Sequence, residues 1–219
     1  KQKSNELLIS QNEEIIAQSE IIEDKNKDII DSITYAKRIQ NAALTSNEER
    51  LEYFPHSFSL YLPKEGLSGD FYWIGRTNSD INGTIVIAAV GDCTGHGVPG
   101  ALLSILGINY FNIASRSNAI NNCGQALDLV NKGVIETFTN GTNEKSIADG
   151  MDAAIIAINK KTLSMDYATA INPIYIVREN EVIILKGDRF PIGKNEYSKN
   201  DKFTSKEFQL IKNDSIYLF

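Results

Sequence analysis

The chain has 219 residues, 42% of them hydrophobic and 23% charged, an ordinary composition for a globular protein. A net charge of −6 and the lack of any polybasic run argue against a nucleic-acid binder and against a membrane-surface patch. Two cysteines, Cys93 and Cys123, with no Cys/His cluster, exclude a disulfide scaffold and a zinc site and point to a reducing, cytoplasmic setting.

Residues 1–45 contain neither glycine nor proline, and Leu8, Ile15, Ile22, Ile29, Ala36 and Ala43 fall at steps of seven. That period belongs to helices that supercoil. The companion row, Asn12, Ser19, Asn26, Ile33 and Gln40, is mostly polar. Such a seam makes a weak coil, and its asparagines fix register and favour a parallel dimer. The expectation is a helical linker over 1–45 that dimerises through residues 8–43. Extra apolar residues at Ile16, Ile21, Ile30 and Ile39 keep open a lone amphipathic helix lying on the rest of the chain. The chain starts at Lys1 within a helical pattern and ends within an apolar run, so a piece of a longer protein is expected.

From Ser46 the pattern changes, and residues 46–219 read as one α+β domain. Runs at 58–62 and 70–74 predict aromatic-rich strands, and Asn82-Gly83 marks a hairpin turn into a strand over 84–90. Helices are predicted over 99–115 and 124–139, with a loop at 140–143 between the second helix and the strands that follow. The apolar stretch 98–114 is broken by Pro99, Gly100, Ser104, Gly107, Asn109 and Asn112, so it reads as a buried helix and not a membrane span. Short β-type runs at 153–158, 163–167, 174–177, 182–185, 207–211 and 215–219 follow, with hairpin links at 159–161 and 178–181. Strands, then helices, then more strands suggest two antiparallel sheets with helices outside.

The most informative stretch is Gly91-Asp92-Cys93-Thr94-Gly95-His96-Gly97-Val98-Pro99-Gly100, between an apolar strand and a helix. Gly95 to Gly100 fits G-x-G-x-x-G, the dinucleotide fingerprint. Its context fails: the first acid after Asp92 is Asp128, inside the second helix, where a ribose-binding acid should end a second parallel strand. Asp92 with the Cys93 carbonyl instead suits a hard cation, and Asp70 in Ser68-Gly69-Asp70 offers a second carboxylate. No Lys or Arg lies within 91–100 to neutralise Asp92. Asp149 in Asp149-Gly150-Met151-Asp152 repeats the acid-glycine pattern as a candidate accessory residue, equally readable as a turn. His96 reads as an orienting hydrogen-bonding group more than a general base. Cys93 lacks a basic neighbour to make a thiolate, so its carbonyl matters more than its sulfur.

These motifs, with Phe71-Tyr72-Trp73, Gly187-Asp188-Arg189-Phe190-Pro191-Ile192-Gly193 and Ile33-Thr34-Tyr35-Ala36-Lys37-Arg38-Ile39-Gln40, occur in order over residues 33–219. Together they resemble the SpoIIE-type branch of the metal-dependent (PPM) protein serine/threonine phosphatases. The resemblance implies a four-layer α-β-β-α sandwich of two antiparallel sheets, preceded by the coiled-coil-like helix. It implies Mn2+ or Mg2+, two per site, held by Asp70, Asp92 and the Cys93 carbonyl, with Asp149 nearby. The implied activity is hydrolysis of phosphoserine or phosphothreonine in a regulatory protein by metal-activated water, without a side-chain nucleophile. It further implies an upstream sensor acting through the helix. Two further metal aspartates of that family have no counterpart here, so little activity is expected of these 219 residues alone. The alternative is a dimeric signalling module that binds a phosphoprotein without hydrolysing it.

Overall fold

The computed structural model describes residues 2–63, 66–77, 85–118, 121–139, 149–193 and 202–219, and among these the side chains of all but 2–9. The predicted turn at Asn82-Gly83 and the predicted loop at 140–143 lie outside the described residues. The glycine- and proline-free start forms one helix, α1 (Gln2–Ala43). Ile15, Ile16, Ile21, Ile22, Ile29 and Ile30 are each more than half exposed. From Ile33 the same stripe meets the rest of the chain. Ile33 and Ala36 are half-buried, Gln40 is buried, and Ala43 and Leu44 pack on the main core. The downstream end of the heptad rows is therefore occupied by the protein's own body.

A short helix, α2 (Asn47–Tyr53), follows where the sequence showed only a polar boundary. Ser46 caps it: its hydroxyl accepts from Glu49 N at 3.1 Å while its own N–H donates to the Glu49 carboxylate at 3.3 Å. That reciprocal box is a helix start signal, visible as Ser-x-x-Glu in the sequence. The strand predicted at 58–62 does not form. Phe58, Leu60 and Leu62 are all largely exposed, and no strand among the described residues pairs with this run. An apolar alternation gives the pleat, not the neighbour.

The body comprises β1 (Phe71–Arg76), β2 (Ile85–Cys93), α3 (Gly97–Arg116), α4 (Cys123–Thr139), β3 (Gly150–Asn159), β4 (Ser164–Ala170), β5 (Ile174–Arg178), β6 (Glu181–Leu185), β7 (Ile192–Gly193), β8 (Lys206–Gln209) and β9 (Ser215–Tyr217). The larger sheet runs β1-β2-β3-β4-β8, with β7 pairing the start of β3; the smaller runs β6-β5-β9. Every pairing between these strands is antiparallel. The fold is thus the expected α+β arrangement of two antiparallel sheets with helices.

Alternation along β2 explains the layering. Ile87 and Ala89 face α3 and α4 in a core with Trp73, Leu103, Phe111, Leu127 and Val130. Val86 faces the other way, joining Ile156, Met165 and Tyr167 against Ile174, Ile176 and Leu185 of the smaller sheet. Trp73 stacks on Phe111 with centroids 5.8 Å apart, and its indole N–H donates to Asn112 Oδ1 at 2.9 Å. The apolar helix α3 is long enough to cross a membrane, yet Leu103, Ile108, Phe111 and Ala114 are buried in this core.

Candidate metal centre

β2 extends three residues beyond its predicted end, so Asp92 lies within the strand, paired across to Asp152 of β3. On the other side Phe71 pairs with Gly91, and continuing that register sets Asp70 opposite Asp92. Three aspartates from three adjacent chain segments thus form one row across the end of the larger sheet. Ala88 and Val90, which share the face of Asp92, pack in the core between the sheets. The row therefore opens at the rim of the inter-sheet layer.

Asp152 was legible only as part of an acid-glycine repeat. Sequence reasoning singled out Asp149 instead, because only the strand register tells which of the two acids faces Asp92. Asp149 is engaged elsewhere, accepting from Thr94 Oγ1 at 3.2 Å. Thr94 Oγ1 in turn accepts from Gly150 N at 3.1 Å, and Thr94 N donates to Gly150 O at 2.9 Å. Asp149 thus ties the glycine-rich turn to the start of β3. His96 occupies the N-cap position of α3, with no side-chain cap hydrogen bond.

Like charges placed directly opposite across strands repel. The Asp92 carboxyl is accordingly held above the usual carboxylate range, by burial first, then by the charge of Asp70, a hydrogen bond shared with it, and the charge of Asp152. Burial also raises Asp152. Among the described residues, no Lys or Arg forms an ion pair with any of the three. Burial, and then the charges of Asp92 and Asp70, push the Cys93 thiol far up and so disfavour a thiolate there.

The turn that brings these groups together is packed backbone on backbone. A Cβ on Gly69 would lie 2.7 Å from the Cys93 carbonyl oxygen. One on Gly100 would lie 2.6 Å from the Gly95 oxygen and 3.2 Å from the Gly69 Cα. Only glycine permits the 68–70 turn, the 93–95 turn and the first turn of α3 to meet this closely. The Gly187–Gly193 motif braces the same end: Ile192 and Gly193 pair with Met151 and Gly150, and Gly193 N donates to Asn131 Oδ1 at 2.8 Å.

The donors that gather here are oxygens: the carboxylates of Asp70, Asp92 and Asp152 and the Cys93 carbonyl. Their chemistry fits a hard divalent cation. Among the described residues no three His, Cys, Asp or Glu side chains converge tightly enough to hold an ion alone, so main-chain oxygen and water must complete any shell. The dinucleotide reading fails on the geometry. Both neighbours of β2 are antiparallel, and Asp128 accepts from Phe203 N at 2.8 Å.

The family description Stage II sporulation protein E (SpoIIE) matches residues 82–219. Among solved structures, the SiaA-PP2C domain of Pseudomonas aeruginosa is 26% identical with a TM-score of 0.72, over 87% of this chain and 71% of that one. The PP2C phosphatase domain of SpoIIE from Bacillus subtilis, with a fragment of its regulatory domain, is 21% identical with a TM-score of 0.52, over 68% of this chain and 40% of that one. RsbX in complex with magnesium is 18% identical with a TM-score of 0.50, over 71% of this chain and 68% of that one. No curated protein matches. The last two structures speak for the fold alone, and the chain spans about two fifths of the Bacillus structure. By the family match and by its fold, the chain belongs to the SpoIIE family and carries the PP2C phosphatase fold.

Proposed function

We propose that this domain removes phosphate from phosphoserine or phosphothreonine of a regulatory protein in a metal-dependent hydrolysis. The observation that carries this reading is the row Asp70, Asp92 and Asp152 beside the Cys93 carbonyl in a glycine-packed turn. Asp92, at the centre of the row, is the principal ligand, flanked by Asp70 and by Asp152, which joins them as a third carboxylate. The all-oxygen donor set suits Mg2+ or Mn2+, two ions per site, and RsbX, which shares the fold, is a magnesium complex. When bound, such ions lower the pKa of water toward neutrality and offset charge on the phosphoryl oxygens.

The chain's own residues hold and shape the site. Asp92 and Asp70 supply the negative charge, and a bound cation would offset both the burial and the neighbouring carboxylates that raise Asp92. Thr94, bonded to Asp149 and Gly150, fixes the turn that presents the Cys93 carbonyl. The buried Cys93 thiol takes no part.

In this reading α1 is the regulatory input, connecting a sensor segment earlier in the same protein to the domain. Its exposed isoleucines at 15–30 face a second copy, so the homodimer seam is confined to the part of residues 8–43 upstream of Ile33. Ile22→Asp is expected to turn a dimer into a monomer in sedimentation; an unchanged dimer removes the seam. The site as a whole is tested by phosphate release from a phosphoserine protein by the full-length protein with Mn2+, Mg2+ or EDTA. Release that EDTA does not reduce contradicts the proposal.

A non-catalytic phosphoprotein-binding module is the second reading, favoured by the open ligand set. It predicts metal-independent retention of the phosphoprotein with no phosphate released.

A further inference from the structure

Gln40 is 1% exposed on a helix whose side chains mostly face solvent. Both ends of its amide are used. Nε2 donates to the Ser68 carbonyl at 2.5 Å and to Ser104 Oγ at 2.8 Å, while Oε1 accepts from Ser68 N at 3.2 Å. The Ser104 hydroxyl donates to Ala101 O at 2.8 Å, within α3. The Ser68 hydroxyl accepts from Asp70 N at 3.0 Å. One side chain of α1 therefore grips both backbone groups of Ser68, as a neighbouring strand would, and Ser68 holds the backbone of Asp70. Gly69, between them, lies against the Cys93 carbonyl.

Packing alone does not call for an amide here. Ile33, Ala36 and Ala43, which share its side of α1, are apolar, and a buried amide is costly unless every group is bonded. What the amide adds is register: a slip or rotation of α1 strands the Ser68 N–H, the Ser68 carbonyl and the amide together. We infer that Gln40 is a positioning residue for the cation site, setting the Ser68–Gly69–Asp70 turn according to how α1 is seated. This inference rests on the metal-site reading above and names the contact through which α1 acts on it.

The test is Mn2+ titration of the full-length protein followed by electron paramagnetic resonance, with amide hydrogen exchange at Ser68 as a second readout. Gln40→Met keeps length and apolar bulk but removes both bonds to Ser68. It is expected to weaken Mn2+ binding roughly 10- to 100-fold, as loss of a group that orients a ligand does, and to speed exchange of the Ser68 N–H. Ser104→Ala keeps both Ser68 bonds and is expected to bind Mn2+ nearly as wild type does. Gln40→Glu retains the acceptor for the Ser68 N–H and is expected to fall between; it takes the place of Gln40→Met should that variant not fold. If Asp92→Asn weakens Mn2+ binding and the Gln40 variants do not, the inference is overturned and the site reading stands. If Ser104→Ala weakens it as much as Gln40→Met does, the effect is general loosening and the inference is likewise overturned. If none of them weakens it, Asp92→Asn included, the site reading fails and takes the inference with it.

Discussion

The two ends of the larger sheet each place a strand aspartate at a helix, with opposite outcomes. At one end Asp166 of β4 is saturated: it accepts from Cys123 N, the first residue of α4, at 2.6 Å and from Ser205 Oγ at 2.5 Å. At the other end Asp92 of β2 faces two more carboxylates and is held above its ordinary pKa. Asp166 commits its oxygens to starting a helix, whereas the charged form of Asp92 is disfavoured until a counterion comes. A carboxylate bonded to backbone and hydroxyl donors serves the fold, while one crowded by its own kind is a strain that a cation relieves.

That contrast is sharpest in Asp92→Asn. Phosphate release should fall about 100- to 1000-fold, the scale of losing one group that organises transition-state charge. The metal-free protein should become more stable. A carboxyl whose folded pKa is raised favours folding while protonated, so its stabilising effect is lost as pH rises from the ordinary carboxylate range through the raised value. Thermal unfolding in EDTA across that range should show a larger loss in wild type than in the variant, which keeps the smaller loss due to the buried Asp152. A variant that melts lower at neutral pH would break the comparison.

Gly100→Ala ranks next. Its Cβ meets main-chain atoms of Gly95 and Gly69 that cannot swing aside. It should cost about 1–3 kcal/mol in denaturant unfolding and weaken Mn2+ binding as well. Asp166→Asn, at the opposite end, should cost about 1 kcal/mol and leave Mn2+ affinity unchanged. Should it weaken the metal too, the two ends are not independent. The smallest effect belongs to Asp214, which Arg178 binds at 2.7 Å and holds below the usual carboxylate range. Its contribution is present above the ordinary carboxylate pKa and lost as pH falls through the lowered one. Asp214→Asn should remove that acid-side slope from a pH–stability curve.

Much of this was legible in the sequence. Period-two and helical patterning located α1, α3, α4 and most strands, and the ordered acid-glycine motifs singled out Asp70 and Asp92, which the strand register sets side by side. The misses share a cause. Asp152 and Gln40 owe their places to pairings across 60 and 28 residues, which no local pattern encodes. The run at 58–62 has strand chemistry, but a strand needs a neighbour, and that is a tertiary fact. The heptad rows of α1 announced a seam without saying that Ile33 to Ala43 turn inward onto the body. Only the helix α2 was missed despite a local signal, the capping box at Ser46 and Glu49.

The central claim is that Asp92 anchors a divalent cation. Mn2+ titrations of the full-length wild type, Asp92→Asn and Asp166→Asn, run side by side, test it most directly. Wild type and Asp166→Asn should bind with the same dissociation constant, and Asp92→Asn should bind far more weakly or not at all. Equal affinity in all three proteins would contradict the account.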